Sequence, residues 1–189
     1  MEAKMPKIHI SILTVLIIPL VLLDPTGEIA ATLIAALLHE LGHVAVILAL
    51  GIGIKAVGVT PYGLEITTVR KYRSFPEELA VSCAGCVFNF ICYFGLIRAG
   101  VFTALAHASL ILGVLNALPV LTLDGGEALR ALFSILLPYR AVEKASRAVS
   151  LVALVMTWSF AAYIFLFSGY NYSLFIMTVW LFGKIYCGK

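Results

Sequence analysis

The residues best suited to chemistry in this chain are His39-Glu40-Leu41-Gly42-His43. In a helix, residues four apart share a face about one turn apart, so His39 and His43 can bind one metal ion while Glu40 reaches its open side. Two neutral imidazoles suit Zn²⁺, and a catalytic zinc site normally has a third protein ligand and one position for water. The spacing therefore predicts a zinc site on a helix.

Asp124 is the strongest candidate for the third ligand, because it opens an Asp-Gly-Gly sequence after an apolar run that Pro119 interrupts. Glu127 follows three residues later, which also gives Asp124 the character of a helix N-cap, and one residue can fill both roles. If this segment lies inside a membrane, its non-helical backbone requires a protein-lined or water-filled cavity. A hydrolytic site needs such a cavity in any case.

The chain that must position these residues has 189 residues, of which 62% are hydrophobic and 12% are charged. An ordinary soluble domain has about 25% charged residues, so this composition excludes one. The net charge is +3, and the basic residues are scattered through apolar sequence. They form no basic stripe of the kind that nucleic-acid-binding proteins use. The sequence therefore predicts an integral membrane protein without a nucleic-acid partner.

The polar residues His39, Glu40 and His43 lie within an apolar run. A second interpretation is that these side chains only pack against other helices. Ionisable groups near the middle of a bilayer each cost on the order of a few kcal/mol. Three such groups at metal-ligand spacing therefore favour a metal site over packing alone.

Apolar runs predict about six transmembrane helices, since each span needs about 20 mostly apolar residues. The predicted spans are Ile8–Leu23, Ile29–Leu50, Leu79–Ile97, Val101–Leu121, Ser150–Phe167 and Tyr172–Ile185. We interpret the first as a retained span, because Asp24 and Pro25 stand where signal-peptide cleavage needs small residues. With residues 24–28 outside, twelve of the 13 lysines and arginines lie inside. The positive-inside rule then predicts that both termini are cytoplasmic.

Two connections on the inner side have patterns of their own. Residues 51–72 have β-branched and aromatic residues around the turn-like segment 60–63, which predicts a membrane-associated β-hairpin with an unpaired edge at Val59 or Ile66. Residues 126–137 have apolar residues at helical spacing, which predicts an amphipathic helix at the interface. The predicted fold class is an all-α polytopic membrane protein with these two additions.

Three motifs together resemble the site-2 protease family of intramembrane zinc metalloproteases. They are His-Glu-x-x-His at 39–43, Asn-x-x-Pro-x-x-x-Leu-Asp-Gly at 116–125, and Ala-Gly-Cys-Val-Phe-Asn at 84–89. The third is similar to the family's Ala-Gly-Pro-x-x-Asn, with Cys86 where proline is usual, and this departure bears on the local kink. The six-span count is similar to the sporulation branch, which processes a membrane-associated sigma-factor precursor.

This resemblance implies a role for each matching residue. The implied zinc ligands are His39, His43 and Asp124. Glu40 would take a proton from the attacking water and return it to the leaving amine. Asn116 would donate to the oxyanion, and Asn89 would line the substrate path. For both asparagines, an interhelical hydrogen bond is the alternative.

The resemblance also implies an organisation and a partner. We expect one integral-membrane domain over residues 1–189, with a protease core at about 29–130 and a C-terminal helix pair at about 150–187. The C-terminal CBS domain that is usual in the sporulation branch and the PDZ domain of other branches do not fit in this length. The implied substrate is a membrane-tethered regulatory protein, such as a transcription or sigma factor precursor, cleaved towards the cytoplasmic side of a bacterial or archaeal membrane. A regulatory membrane partner is compatible with this.

Two other functions use the same residues. A catalytically silent binder on this scaffold would have lost Glu40 or a ligand, and all of these residues are present. A small metal or ion transporter could use the same four side chains as an ion path, but no inverted repeat is visible in the sequence. Both functions are less well supported than a protease.

Overall fold

The computed structural model describes residues 7–10, 17–60, 63–69, 74–101, 103–168 and 172–186. In chain order the described elements are β1 (Lys7–Ile10), α1 (Ile17–Leu22), α2 (Glu28–Ala49), β2 (Ile54–Thr60), β3 (Gly63–Thr68), α3 (Phe75–Arg98), α4 (Ala104–Asn116), α5 (Asp124–Leu136), α6 (Tyr139–Ser168) and α7 (Ser173–Tyr186). The chain divides into two compact units, Met1–Leu115 and Asn116–Lys189. The expected single domain stays a prediction.

In the first unit, α2 and α3 pack against each other through small and polar side chains. The buried residues of α2 are Ala31, Ala35, His39, Gly42, His43 and Ile47. Those of α3 are Val81, Ser82, Ala84, Gly85, Cys86 and Asn89. Small residues allow two helix backbones to approach closely, which is how helices associate where lipid removes the hydrophobic driving force. Helix α3 is continuous through Cys86, where the family's proline is usual.

The start of α2 depends on Asp24, which lies in the preceding turn. Its Oδ2 accepts a hydrogen bond from the backbone N–H of Ile29 at 2.7 Å, and its Oδ1 accepts from the hydroxyl of Thr26 at 2.6 Å and from the backbone N–H of Thr26 at 2.9 Å. These bonds, that of the Thr26 hydroxyl above all, hold the pKa of Asp24 below its ordinary value. The carboxylate thus gives the backbone N–H of Ile29 a hydrogen-bond partner that the helix itself cannot supply. Its negative charge also interacts favourably with the positive end of the helix dipole.

The sheet of the first unit confirms the predicted hairpin and extends it. Strands β2 and β3 are antiparallel, and β1 pairs parallel to β2, so the order is β1-β2-β3. Residues 61–62 of the predicted turn lie outside the described residues. Val59 pairs with Ile10 on one side and Leu64 on the other, so the expectation of an edge at Val59 was wrong. Ile66 lies in β3, an edge strand of the described sheet.

The same pairing corrects the first predicted span. Ile8–Leu23 is not one helix, since its first residues lie in β1 and its last part forms the six-residue helix α1. Residues 11–16 lie outside the described residues. In the segment Lys7–Ile10, polar and apolar residues alternate, which is the period of a strand. The backbone of this segment forms its hydrogen bonds with β2.

The second unit is organised around the apolar residues Val120, Leu154 and Leu181. Helix α4 ends at Asn116 and α5 begins at Asp124, so the predicted break near Pro119 spans residues 117–123. The backbone N–H of Leu121 in this break donates to Ser150 Oγ at 3.0 Å. A helix at the predicted position is confirmed as α5, which is followed by α6. Its location at the membrane interface stays a prediction.

Three of the described helices, α2, α3 and α6, are long and apolar enough to cross a membrane by length and composition. The described apolar helices α4 and α7 are shorter, at 13 and 14 residues. An integral membrane protein is therefore supported, while the count of six spans is not confirmed.

The contact between α2 and α3 predicts that alanine substitutions at two glycines change the stability of the protein differently. A Cβ at Gly42 would lie 2.8 Å from both Ala84 O and Phe88 Cβ, whereas a Cβ at Gly95 of α3 meets nothing within 4 Å. Gly42→Ala should destabilise the protein by about 1–3 kcal/mol through overpacking. Gly95→Ala should be neutral or stabilise by up to about 1 kcal/mol through helix propensity. Thermal unfolding in detergent measures both, and equal effects would contradict the packing argument.

Candidate metal centre

The two histidines of the first motif lie on one buried face of α2, as their spacing predicts. His39 is 5% exposed and His43 is 9% exposed. Their Nε2 atoms are 3.2 Å apart, and the rings meet edge to face at 75° with centroids 4.9 Å apart. Two ring nitrogens that point at each other at this distance share one position in which a cation could be bound by both.

The opposite ring nitrogen of His43 is held by the backbone of α3. His43 Nδ1 lies 2.8 Å from the carbonyl oxygen of Val81. A carbonyl oxygen only accepts hydrogen bonds, so Nδ1 carries the proton and donates it, and Nε2 carries the lone pair. Metal-binding histidines almost always have such an outer partner, which fixes the tautomer and the ring orientation. His43 is therefore oriented as a metal ligand.

The outer neighbour of His39 also lies on α3. The amide nitrogen Nδ2 of Asn89 lies 3.3 Å from His39 Nδ1, and Asn89 is 0% exposed. This contact is the interhelical hydrogen bond that the sequence left open as the alternative for Asn89. A role for this side chain along a substrate path stays a prediction.

Gly85 leaves the space that the two imidazoles occupy. A Cβ at this position would lie 2.6 Å from His39 Nε2 and would also overlap His43 Nε2. Sequence reasoning used Gly85 only as part of a motif and missed this role. Val81, Gly85 and Asn89 are spaced by four residues on α3, so this periodicity was the signal that one helix face contacts both histidines.

The other candidate residues lie at the ends or sides of helices. Glu40 is half-buried on α2, next to His39. Asn116 is the last residue of α4, and Asp124 is the first residue of α5, both half-buried in the second unit. Leu123 occupies the N-cap position of α5, so Asp124 lies one residue inside the helix. The capping-box interpretation required Asp124 at the cap itself.

The donor set fits Zn²⁺. Two imidazoles with converging Nε2 atoms, one of them in the metal-binding tautomer, are the nitrogen ligands that zinc prefers. Gly85 leaves room for both rings at a place where any side chain would overlap their Nε2 atoms. Glu40, adjacent to His39, has a carboxylate of the kind that acts as a general base in His-Glu-x-x-His sites.

Comparisons with known proteins give one class. Residues 94–160 match the family model of Peptidase family M50, a range that contains Asn116 and Asp124 but not the His39–His43 motif. Over 157 residues the chain is 31% identical to stage IV sporulation protein FB of Bacillus subtilis (77% of this chain, 54% of that protein). Over 120 residues it is 31% identical to a Synechocystis protein named as a candidate zinc metalloprotease (56% of this chain, 31% of that protein).

A solved structure extends the similarity to nearly the whole chain. The site-2 protease from Methanocaldococcus jannaschii is 25% identical with a TM-score of 0.61, over 94% of this chain and 89% of that one. These matches point to one class, the metallopeptidases of the site-2 type. The resemblance to the site-2 protease family is confirmed, and the matches support a zinc metalloprotease of the site-2 type. The chain spans 54% and 31% of the lengths of the two curated relatives.

The space at Gly85 predicts a loss of metal affinity on substitution. Gly85→Ala places a methyl group against both imidazoles and should weaken zinc binding by about 10–100-fold, the range seen when ligand orientation is lost. Gly95→Ala on the same helix, where a Cβ meets nothing within 4 Å, is the matched control and should bind zinc like the wild type. Competition with a chromophoric chelator measures both affinities. Equal affinities would contradict the assigned role of Gly85.

Proposed function

We propose that this protein is an intramembrane zinc metalloendopeptidase that hydrolyses a peptide bond in or near a transmembrane segment of a membrane-tethered regulatory protein. The observation that carries the proposal is the converging pair of imidazoles in a buried helix face, with Nε2 atoms 3.2 Å apart and a glutamate beside the first. The motif resemblance, the match to Peptidase family M50 and the similarity to a solved site-2 protease support it.

The proposed ligands are His39, His43 and Asp124. Each has a side-chain atom of a kind that binds zinc, an imidazole nitrogen in the two histidines and a carboxylate oxygen in the aspartate. Three protein ligands leave one position for water, which is the arrangement of catalytic rather than structural zinc. The resemblance supports Asp124, because the Leu-Asp-Gly motif at 123–125 falls inside the range that matches the family model.

The chemistry follows from these residues. Zinc held by these residues would supply Lewis-acid chemistry, lowering the pKa of a water and polarising the peptide carbonyl. Glu40 takes the proton from the attacking water and delivers it to the leaving amine, a role that needs a carboxylate close to both. Asn116 donates a hydrogen bond to the oxygen on which negative charge develops.

The substrate must be locally extended, because a helix hides its peptide carbonyls in its own hydrogen bonds. Strand β3 is an edge of the described sheet and offers backbone groups to an added strand. His43 lies six residues before the end of α2 at Ala49, or about 9 Å along the helix axis. With the charge distribution of the sequence, this depth supports cleavage towards the cytoplasmic side.

The identity of the substrate class rests on the resemblance to the sporulation branch. A protein of Bacillus subtilis with the name stage IV sporulation protein FB is 31% identical to this chain. We therefore propose a membrane-associated transcription or sigma factor precursor as the substrate, within a bacterial or archaeal membrane.

Metal content separates binding from catalysis. The detergent-purified wild type should contain about one zinc per chain, and Asp124→Ala should contain markedly less because it removes a ligand. Glu127→Ala, on the first turn of the same helix, is the control and should keep its zinc. Glu40→Gln should also keep its zinc but lose cleavage by about 100-fold or more, because the proton acceptor is gone. A wild type that stays free of metal after zinc is supplied would overturn the proposal.

Strand addition is tested by proline at two neighbouring positions of β3, Ile66→Pro and Thr67→Pro. Neighbouring residues of a strand point their N–H groups to opposite sides, so one of the two substitutions removes a donor from the outer edge. That variant should cleave a membrane-tethered reporter at least about 10-fold more slowly while its zinc content stays normal, since one lost backbone bond to a substrate amounts to about 1.4 kcal/mol. Normal cleavage by both variants would exclude β3 as the substrate-binding edge.

A further inference from the structure

Asn89 is the most completely enclosed polar side chain next to the imidazole pair. Asn89 is 0% exposed. A Cβ at Gly113 of α4 would lie 3.4 Å from the Cβ of Asn89, so the Asn89 side chain is held between helices of the first unit. Its Nδ2 lies 3.3 Å from His39 Nδ1. Its Oδ1 is buried and has no hydrogen-bond partner within the part of the chain that the structure describes. A buried unpaired acceptor of this kind is destabilising by about 1–3 kcal/mol.

The direction of this hydrogen bond matters for metal binding. When Nε2 of a neutral imidazole binds a metal, Nδ1 carries the remaining proton and can only donate. The NH₂ group of Asn89 also only donates, so it cannot pair with His39 in that tautomer. The carboxamide oxygen can, and a 180° rotation of the amide brings Oδ1 to the position of Nδ2 because the two groups have nearly the same size.

We propose that Asn89 is a positioning residue for His39, with Oδ1 accepting the Nδ1–H of His39 and thereby holding Nε2 as the metal ligand. This inference rests on the metal centre of the proposed function. It gives His39 the same kind of outer partner that the Val81 carbonyl gives His43 at 2.8 Å. One rotation of the amide provides the acceptor that His39 needs and pairs the buried oxygen.

Two substitutions at Asn89 separate orientation from packing. Asn89→Asp keeps the shape and presents an acceptor in either orientation, so zinc affinity should stay within about threefold of the wild type or increase. Asn89→Leu keeps a similar volume but has no acceptor, so zinc affinity should fall by about 10–100-fold. A residue needed only to fill space would give the opposite order, since leucine packs well and a buried carboxylate is costly.

The experiment measures zinc affinity by chelator competition on full-length protein in detergent, together with thermal unfolding of the same samples without metal. Ser109→Ala is the matched control, because Ser109 is also 0% exposed, on α4, and its hydroxyl has no partner among the described residues. It should bind zinc like the wild type. The expected result is weak binding by Asn89→Leu with rescue by Asn89→Asp.

The outcomes distinguish this inference from the proposed function. A wild type that binds no zinc contradicts the metal centre and the inference together. A wild type that binds zinc, with Asn89→Leu equally tight, contradicts only the inference. Weak binding by both Asn89→Leu and Asn89→Asp also contradicts it, because an acceptor at this position would then not be what His39 requires.

Discussion

The first unit depends on one constraint, which is that two imidazoles buried between α2 and α3 need hydrogen-bond partners for their ring nitrogens. A neutral imidazole has one donor and one acceptor nitrogen, and each is costly to bury without a partner. In α2, His39 and His43 point one nitrogen of each ring at the other, at 3.2 Å, and the remaining nitrogens reach α3. The packing of α3 on α2 is therefore also the hydrogen-bonding environment of the site, and the two cannot be altered separately.

Small residues make this shared use of one interface feasible. Gly42 brings α2 against the backbone of Ala84, and the next residue of α3, Gly85, leaves room for the two imidazole rings. In a membrane, close approach ordinarily serves to hold helices together, because van der Waals contact takes the place of the hydrophobic effect. Here it also brings a backbone carbonyl within 2.8 Å of His43. A larger residue at either glycine changes the distance that orients the ligand.

Sequence periodicity predicted the parts of this arrangement that depend on local spacing. The shared face of His39 and His43, the hairpin at 51–72 and the helix after Pro119 follow from residues three, four or two apart. Periodicity failed where pairing between segments far apart in the sequence decides the structure. The segment Lys7–Ile10 reads as the start of an apolar span, but pairing with β2 makes it a strand and places Val59 in the centre of the sheet. No local pattern shows which segment will be a neighbour.

The two histidines differ in what holds them, and this difference bears on how the site can vary. The partner of His43 is a backbone carbonyl, which accepts in every sequence variant that keeps the helix contact. The partner of His39 is a side-chain amide, which can donate or accept according to its rotation. The tautomer of His43 therefore follows from the fold alone, while that of His39 depends on one residue, Asn89. Changes in sequence can tune metal binding through His39 without rebuilding the helix pair.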